Sequence, residues 1–243
     1  MKMKQTLIAG AVALSAFAGL AVPAAQAEVT ASVAVANMYY WRGLDLGAGD
    51  PALIADVAAK SNGFYAGLWA SSGDAGLGTE YDFYAGYGFS AGPLSVDLNY
   101  TTYMYPSATS TTYLPDEETG GVARVVEGAP LGFDDVSDVA IILGLQASED
   151  ITFTLMHRVG VGEVLADDNY TYTTLGAAFG KFSALVGTHA DDSGTYDSLT
   201  HLDLSYAYTS NLSFTLGKVI DQGEAEWNDE LKLIVKLSLP IGE

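Results

Sequence analysis

The feature that most constrains this chain is a two-residue alternation of side chains, which recurs in short segments separated by turn residues. Between residues 80 and 90, every odd position is apolar or aromatic, whereas the even positions hold Glu80, Asp82, Tyr84 and small residues. Successive side chains of a strand point to opposite faces, so this pattern indicates a strand with one apolar and one polar face. We predict an all-β fold of twelve antiparallel strands, at 29–42, 51–60, 63–71, 79–90, 93–105, 137–148, 151–161, 169–179, 181–189, 198–209, 211–220 and 230–239.

The connections between these segments alternate in length. They are tight after every second strand, at Ser61-Asn62, Ala91-Gly92, Glu149-Asp150, Gly180 and Ser210. The remaining connections are longer and cover 43–50, 72–78, 106–136, 162–168, 190–197 and 221–229. Short turns at one end and long loops at the other are typical of a 12-stranded transmembrane β-barrel of outer-membrane type, whose strands need about 9–11 residues each. A soluble β-sandwich, which has no reason to sort its loops in this way, is the alternative.

Charged and aromatic residues follow the same division. The long loops contain nineteen acids and one base, Arg124, while Lys60 and Lys181 lie at the short-turn end. Membrane barrels carry a girdle of aromatic residues at each interface, and the positions of the aromatic residues here suggest two girdles. The predicted outer girdle contains Tyr39, Trp41, Tyr81, Phe83, Tyr170 and Tyr172, and the inner girdle contains Phe64, Tyr87, Phe89, Phe182, Tyr206 and Tyr208.

Net charge and cysteine content exclude several classes of function. The chain has 30 acidic and 10 basic residues and a formal net charge of −20. A surface of this sign repels phosphates, so no nucleic-acid partner is expected. The chain contains no Cys, which excludes thiolate metal sites and a disulfide framework.

The N-terminus has the pattern of a secretory leader. Lys2 and Lys4 precede an apolar run at 7–22 and the small-residue motif Ala25-Gln26-Ala27. This arrangement predicts a cleaved signal peptide at 1–27. Residues 28–243 then form a single barrel, which we expect in the outer membrane of a Gram-negative bacterium after export through the periplasm.

Charged residues on the polar strand faces are candidates for the lining of a pore. Acidic and basic strips bias which ions and solutes pass, whereas a network of ion pairs fills the lumen and closes it. Twelve strands lie between the roughly eight that side chains fill and the roughly 16–18 that leave an aqueous channel, so both alternatives stay open. The predicted pore-lining residues are Arg42, Asp56, Lys60, Glu80, Asp82, Asp97, Arg158, His201, Asp203, Lys232 and Lys236.

The sequence leaves open the placement of one long loop and of two residues on the apolar strand face. The 106–136 loop either folds into the lumen as an acidic constriction or stays solvated outside the barrel. His157 and Lys218 fall on the apolar strand face. Lys218 lies near a strand end, where its long side chain can reach the interface. His157 lies deeper and indicates a β-bulge or a misplaced strand.

Catalytic, metal and cofactor sites are not predicted. His201, Asp203 and Ser205 have the composition of a hydrolytic triad, but successive residues on one strand face lie about 6.6 Å apart, beyond hydrogen-bond reach of nucleophile and base. Three His and no Cys do not form a persuasive zinc set. The spaced acids Asp191 and Asp197 suggest calcium, but the rest of an EF-hand loop is missing, so weak counterion screening is expected.

The N-terminal part of the predicted barrel is similar to a known family. The run Asn37-Met38-Tyr39-Tyr40-Trp41-Arg42-Gly43-Leu44 resembles the N-terminal signature of the TorF family, and the similarity continues through 63–71 and 79–87. These exported Gram-negative proteins are described as porins and as a conserved family of unknown function. The resemblance covers about residues 28–106 and implies an outer-membrane barrel without a mechanism. The chain departs from many outer-membrane barrels because it ends in Glu243 and not in the aromatic residue that the assembly machinery recognises.

Together these patterns predict an outer-membrane porin. It allows passive diffusion of small, cationic or neutral solutes through a narrow lumen of mixed charge. The alternatives are a closed barrel with a structural or adhesive role, whose acidic loops bind lipopolysaccharide through divalent cations, and a lipid-active enzyme. The expected partners are outer-membrane lipid and lipopolysaccharide, small solutes and the barrel assembly machinery, while the oligomeric state stays open.

Overall fold

The chain forms a closed barrel of twelve antiparallel strands. In this computed structural model the described residues are 28–108, 110–115, 122–127, 130–194, 196, 198–223 and 227–241. The predicted signal peptide therefore lies outside the described residues. The strands, in chain order, are β1 (Glu28–Ala36), β2 (Tyr40–Trp41), β3 (Leu44–Asp45), β4 (Ala52–Ser61), β5 (Phe64–Asp74), β6 (Gly78–Ala91), β7 (Leu94–Tyr105), β8 (Ser110–Pro115), β9 (Val122–Glu127), β10 (Leu131–Gln146), β11 (Ile151–Gly160), β12 (Thr171–Phe179), β13 (Phe182–Ala190), β14 (Thr200–Ala207), β15 (Leu212–Asp221) and β16 (Lys232–Pro240).

Each barrel strand pairs with its sequence neighbour, and the first and last strands close the ring. The order around the barrel is β1-β16-β15-β14-β13-β12-β11-β10-β7-β6-β5-β4. At the closure Ala36 lies opposite Lys236, and on its other side β1 places Ser32 opposite Asp56. Closure removes the free strand edges that an open sheet would expose. The prediction of a twelve-stranded antiparallel barrel is confirmed.

The two-residue alternation separates an apolar outer surface from a polar interior. On β4, Leu53 is 66% exposed on the outside, whereas its neighbour Ala52 is fully buried. The outward positions of the other barrel strands hold mainly Val, Leu, Ile, Phe and Tyr, with exposed fractions of about 40–65%. Charged residues such as Glu80, Asp138 and Lys232 are buried in the interior. A soluble barrel reverses this arrangement, because it buries its apolar face in a core.

The turns and loops lie at opposite ends of the barrel, which we call the turn end and the loop end. At the turn end, Asn62 and Gly63 both have positive φ angles, of 52° and 86°. This is the conformation of the two-residue hairpin that an Asn-Gly pair favours. All five tight turns fall where the sequence predicted them.

Two of the predicted long loops differ from the structure. The 72–78 connection shrinks to 75–77, because β5 and β6 continue as a hairpin that pairs Asp74 with Gly78. The 106–136 loop contains its own hairpin, in which β8 pairs with β9. Its last residues belong to β10, which begins at Leu131 and shifts register against β7 before Val136.

The first strand ends earlier than predicted. β1 stops at Ala36, not at residue 42, and the chain leaves the barrel wall. Residues 40–45 instead form a short hairpin, in which β2 pairs with β3. Tyr39 and Trp41 keep the parity of the apolar face of β1, which explains the error. However, Tyr39 and Tyr40 are 5% and 6% exposed and do not belong to the wall.

His157 and Lys218 do lie on the outward face. β11 pairs without a shift with both β10 and β12 from end to end, so neither a bulge nor a misplaced strand explains His157. Its ring nitrogen Nδ1 lies 2.9 Å from the hydroxyl of Thr173 on the next strand. The ammonium of Lys218 donates to the backbone carbonyl of Asp229 at 2.8 Å, in the loop beyond its strand.

The predictions of the inner and the outer aromatic girdle differ in how well they agree with the structure. The inner set is confirmed, because Phe64, Phe182 and Tyr208 are 65%, 61% and 55% exposed on the outer surface near the turn end. The outer set is largely wrong. Only Tyr81 and Phe83 are exposed, whereas Tyr39, Tyr170 and Tyr172 are buried and Trp41 is half-buried.

The only helix among the described residues is α1 (Glu163–Asp167), in the connection between β11 and β12. No helix in the described part of the chain is long and apolar enough to cross a membrane.

Candidate functional site in the barrel lumen

Residues 37–50, which we call the luminal segment, cross the interior of the barrel near the loop end. One side of the segment contacts β6, where Tyr39 meets Glu80. The other side contacts β14, where Tyr40 meets Asp203. The backbone of the segment is further fixed to the β5–β6 connection, because the N–H of Ala75 donates to the carbonyl of Leu46 at 2.9 Å. The segment therefore spans the lumen from one wall to the other.

Arg42 lies at the centre of this segment and is enclosed by aromatic rings and a carboxylate. Its Nη1 donates to the hydroxyl of Tyr170 at 2.8 Å, and its Nη2 donates to the hydroxyl of Tyr103 at 2.8 Å and to Asp138 at 3.0 Å. The guanidinium carbon lies 4.5 Å from the ring centre of Trp41 and 4.8 Å from that of Tyr172. A cation is attracted to the faces of such rings. We call Tyr103, Asp138, Tyr170 and Tyr172, which belong to the barrel wall or its rim, the guanidinium cage.

Arg42 is charged in this environment. Burial opposes the charged form, but Tyr170, Tyr103 and Asp138 outweigh burial and hold the pKa of Arg42 well above its ordinary value. The side chain of Asp138 is fully buried and also forms an ion pair with Arg158. Two arginines thus share one carboxylate. The cage is satisfied only while that carboxylate is present, because an unpaired buried charge is costly.

Two tyrosines anchor the ends of the luminal segment. The hydroxyl of Tyr39 donates to Glu80, and that of Tyr40 donates to Asp203 at 2.5 Å. Burial, followed by the neighbouring carboxylates, raises the pKa of both Tyr39 and Tyr40 well above the ordinary value for tyrosine. Both hydroxyls therefore remain protonated and can serve only these carboxylates as donors.

Two buried histidines extend the network around the segment. His189 donates from Nε2 to the backbone carbonyl of Arg42 at 2.9 Å, and its Nδ1 lies 3.0 Å from the hydroxyl of Tyr170. His201 lies 3.2 Å from Asp203 through Nδ1 and 2.8 Å from the hydroxyl of Tyr172 through Nε2. Arg42 is thus held by its backbone as well as by its guanidinium.

Gly43 shows how closely the segment packs against the wall. Its φ angle is +94°, and a Cβ atom at this position would lie 2.7 Å from the side chain of His201. Only glycine combines this backbone conformation with such a close approach. The adjacent Leu44 is 4% exposed and packs with Leu199 and Val219.

Toward the turn end, the described residues that line the lumen belong to the barrel wall. The hydroxyl of Tyr84 donates to Asp56 at 3.0 Å, and that of Tyr65 donates to Asp97 at 2.7 Å. Asp56, Tyr65 and Tyr84 are half-buried, so water reaches them inside the barrel. Asp97, in contrast, is only 2% exposed.

The structure brings most of the predicted lining residues to the inward face of the strands. At the loop end, Glu80, Arg158, His201 and Asp203 join the network of the luminal segment, as does Arg42. Lys232 lies at the rim, where its ammonium donates to the carbonyl of Asn228 at 2.8 Å. Asp56, Asp97 and Lys236 lie further toward the turn end.

Asp82 occupies an intermediate position beside this network. It lies on the inward face of β6 opposite Trp69 and Tyr103. Its Oδ1 is buried and forms no hydrogen bond, which distinguishes it from Asp138 and Glu80. Arg42 was predicted to be a strand residue, but it lies in the segment that bridges the lumen. Near it, Asp82 is the acid whose Oδ1 has no hydrogen-bond partner.

Several residues of the network were not predicted from the sequence. Asp138, Tyr170, Tyr172 and His189 were not among the predicted lining residues. The two-residue alternation could have identified some of them. Tyr172 lies on the same face of β12 as Thr174, whereas the outward face holds Leu175 and Phe179. Tyr103 could be found in the same way on β7.

The triad composition on β14 does not form a triad. Although His201 contacts Asp203, the hydroxyl of Ser205 lies 2.8 Å from that of Thr215. In the loop with spaced acids, the carboxylate of Asp191 accepts the backbone N–H groups of Gly194 and Tyr196, both at 2.9 Å, while Asp197 lies outside the described residues. Within the described ranges, no group of three His, Cys, Asp or Glu side chains is arranged to hold a metal ion.

Comparison with solved structures returns porins of low sequence identity. The KdgM porin has a TM-score of 0.48 and 8% identity, over 89% of this chain and 99% of that chain. The NanC porin has a TM-score of 0.45 and 9% identity, over 86% and 97% of the two chains. OccK8 (OprE) of Pseudomonas aeruginosa has a TM-score of 0.38 and 12% identity, over 86% of this chain and 63% of its own.

At the level of sequence, no curated protein matches the chain. The TorF resemblance of residues 28–106 stays a prediction. One family model, described as "Bacterial protein of unknown function (Gcw_chp)", matches residues 20–219. The match spans most of the chain and includes the luminal segment and all but one strand of the barrel. The chain therefore belongs to the Gcw_chp family of bacterial proteins.

Proposed function

We propose that this protein is an outer-membrane channel for the passive diffusion of small, cationic or neutral solutes. The observation that carries the proposal is the inversion of polarity across the barrel wall. Leu53 and Leu175 are more than 60% exposed on the outside, whereas ionisable side chains such as Glu80, Asp138 and Lys232 line the inside. An apolar belt on a closed barrel matches lipid, and a charged lumen matches water.

The luminal segment makes this channel narrow. It bridges the lumen near the loop end, where Arg42 reaches β7 and β10, whereas Asp56, Tyr65 and Tyr84 toward the turn end are half-buried. A solute that passes must therefore move around the segment or displace it. The acidic residues of the long loops favour cations at the entrance to this constriction.

The proposal also covers location and partners. The loop end faces the cell exterior and the turn end faces the periplasm, since outer-membrane barrels have this orientation. Residues 1–27 act as a cleaved export signal, and the barrel assembly machinery inserts residues 28–243. Lipid and lipopolysaccharide surround the apolar belt.

Single-channel conductance of the refolded protein in a planar lipid bilayer tests the proposal. Discrete conductance steps and a reversal potential that favours cations are expected under a salt gradient. A heat-modifiable gel shift shows beforehand that the barrel has formed. Silence from a folded barrel would overturn the channel function.

The Asp82→Asn, Asp97→Asn double variant tests the cation preference. It replaces two carboxyl groups on the inward faces of β6 and β7 without a large change in volume. We expect the reversal potential to shift toward zero selectivity, because fixed charge in a narrow pore sets which ion is enriched there. The Asp150→Asn variant, in an exposed turn, is the matched control. Unchanged reversal potentials in the double variant would remove these two carboxylates from the selectivity mechanism.

The bridging of the lumen favours a second candidate, a closed barrel with an adhesive or structural role. Arg42, Tyr39 and Tyr40 all fix the luminal segment to the wall through charged partners. In that case the acidic loops would bind lipopolysaccharide through divalent cations. Binding to lipopolysaccharide vesicles that requires Ca²⁺, together with absent conductance, would favour this role over diffusion.

A further inference from the structure

The barrel carries a complete receptor for a guanidinium group, and its present occupant comes from the luminal segment. The three polar partners of the guanidinium are Tyr103 on β7, Asp138 on β10 and Tyr170 beside β12. None of these three residues belongs to the luminal segment. The receptor is therefore defined independently of the residue that fills it.

The geometry of the cage is specific for a planar, forked cation. Two different nitrogens of Arg42 are bound, Nη1 by Tyr170 at 2.8 Å and Nη2 by Tyr103 at 2.8 Å. The guanidinium carbon also lies within cation–π distance of three cage rings, at 4.8 Å from Tyr172, 5.8 Å from Tyr170 and 5.9 Å from Tyr103. The ring of Trp41, at 4.5 Å, belongs to the luminal segment and leaves with Arg42. An ammonium ion is a compact point charge and cannot reach these diverging acceptors at once.

The charge of the cage permits exchange of its occupant. Asp138 keeps Arg158 as an ion-pair partner when Arg42 leaves, so its carboxylate is not left bare. Tyr103 also continues to donate to Asp138 at 2.8 Å. When Arg42 leaves, the site is therefore neutral and has free hydrogen-bond acceptors, and no buried charge is left unpaired.

We propose that this cage is a binding site for solutes that carry a guanidinium group, and that such solutes displace Arg42 and the luminal segment with it. The displacement deepens the proposed channel function, because it makes the guanidinium group the chemical feature that opens the lumen. In the resting barrel, Arg42 acts as a tethered competitor. Tethered groups compete at effective concentrations of the order of millimolar, so a free solute must reach at least this range.

Isothermal titration calorimetry of the refolded Arg42→Ala variant with methylguanidinium tests the site directly. This variant empties the cage, and we expect saturable binding at least about tenfold tighter than to the unmodified protein, because the tethered competitor is gone. Methylammonium should bind about tenfold more weakly than methylguanidinium, since it loses charge-assisted hydrogen bonds. Equal affinities of the variant and the unmodified protein, or of the two ligands, would overturn the proposal.

Two further variants separate the cage from general electrostatics. The Lys236→Ala variant removes a luminal positive charge away from the cage, and it should gain no methylguanidinium site. Tyr103→Phe in the Arg42→Ala background should weaken binding, because it removes one of the acceptors of the fork. If Arg42→Ala fails the heat-modifiable shift that marks a folded barrel, Arg42→Gln provides the same test with a bulkier neutral side chain. Retained binding without Tyr103 would place the ligand elsewhere.

A thiol probe tests displacement in the barrel with Arg42 in place. The chain contains no Cys, so Leu44→Cys introduces a unique thiol at a position that is 4% exposed. Methylguanidinium, but not methylammonium, should accelerate labelling of this thiol by a maleimide severalfold. An unchanged rate at saturating methylguanidinium would show that the segment does not move. Neither measurement depends on conductance, so a silent bilayer would overturn the channel and leave the cage standing, whereas a conducting barrel without these effects would overturn the cage alone.

Discussion

The loop-end and turn-end halves of the lumen contain the same kinds of residue but are built in different ways. At the loop end, Asp138 is shared by two arginines, one of them from a segment that crosses the barrel. Toward the turn end, Asp56 and Asp97 each accept a hydrogen bond from one wall tyrosine. At the loop end the hydrogen bonds and ion pairs therefore form a network that crosses the lumen. Toward the turn end, they form the pair of Tyr84 with Asp56 and a chain along the wall, in which Asn99 donates to Tyr65 and Tyr65 donates to Asp97.

Burial follows this difference. The largest fully buried side chains of the described residues, which include Tyr170, His189, His201 and Glu80, all lie in the loop-end half. Asp56, Tyr65 and Tyr84 are half-buried. In a barrel of constant strand number, the inserted segment and not the wall decides where the lumen is narrow. We infer that the free energy of unfolding and the conductance depend mainly on contacts at the loop end and only weakly on those at the turn end.

The largest effect is expected from Asp138→Asn. The substitution leaves Arg42 and Arg158 as two buried like charges without a carboxylate, which costs about 3–5 kcal/mol of unfolding free energy. Urea titration of the barrel in detergent micelles measures the loss. Asp56→Asn at the half-buried pair should cost only about 1 kcal/mol. Equal losses at the two sites would contradict the contrast between the halves.

The conductances of the Arg42→Ala and Lys236→Ala variants give a second comparison of the two halves. Without the guanidinium, the luminal segment loses its bonds to Tyr103, Asp138 and Tyr170, and we expect conductance in planar bilayers to rise severalfold. Lys236→Ala, which removes the same charge away from the segment, should have a smaller effect. A larger rise in the Lys236 variant would place the constriction outside the luminal segment.

Loss of a single hydroxyl group should have a smaller effect than loss of Asp138, and the effect should again differ between the two halves. Tyr103→Phe removes a group that accepts from Arg42 and donates to Asp138, and it should cost about 2–3 kcal/mol of unfolding free energy. Tyr84→Phe removes one bond to the half-buried Asp56 and should cost about 1 kcal/mol. Both are measured by the same urea titration. A costlier Tyr84 variant would mean that the turn end has more cooperative bonding than its pairs indicate.

Much of the barrel could be predicted from the sequence because the information is local. The side-chain period of a strand is two residues, so the alternation in 80–90 alone assigns each residue to the lumen or the outside. Asn62-Gly63 likewise determines its own hairpin through the positive φ angles that both residues adopt. For the same reason, Asp56, Asp97 and Asp203 were placed on the inward face.

The luminal segment was decided only by the tertiary structure. Tyr39 and Trp41 keep the parity of the apolar face of β1 and predict a longer strand, although the chain turns inward after Ala36. The partners of Arg42 lie 61, 96 and 128 residues away in the sequence, at Tyr103, Asp138 and Tyr170. No local period links positions so far apart.

The same reason explains the aromatic residues that were assigned to an outer girdle. An aromatic side chain near a strand end suits an interface as well as it suits a cation, and composition does not distinguish the two. Tyr170 and Tyr172 became part of a cage because barrel closure brings β7, β10 and β12 around one point that Arg42 reaches. The sequence by itself determined the wall of this protein and its two faces. Only the packing of distant residues in the closed lumen decided what fills it, because that depends on contacts between strands and not on the order of residues along any one of them.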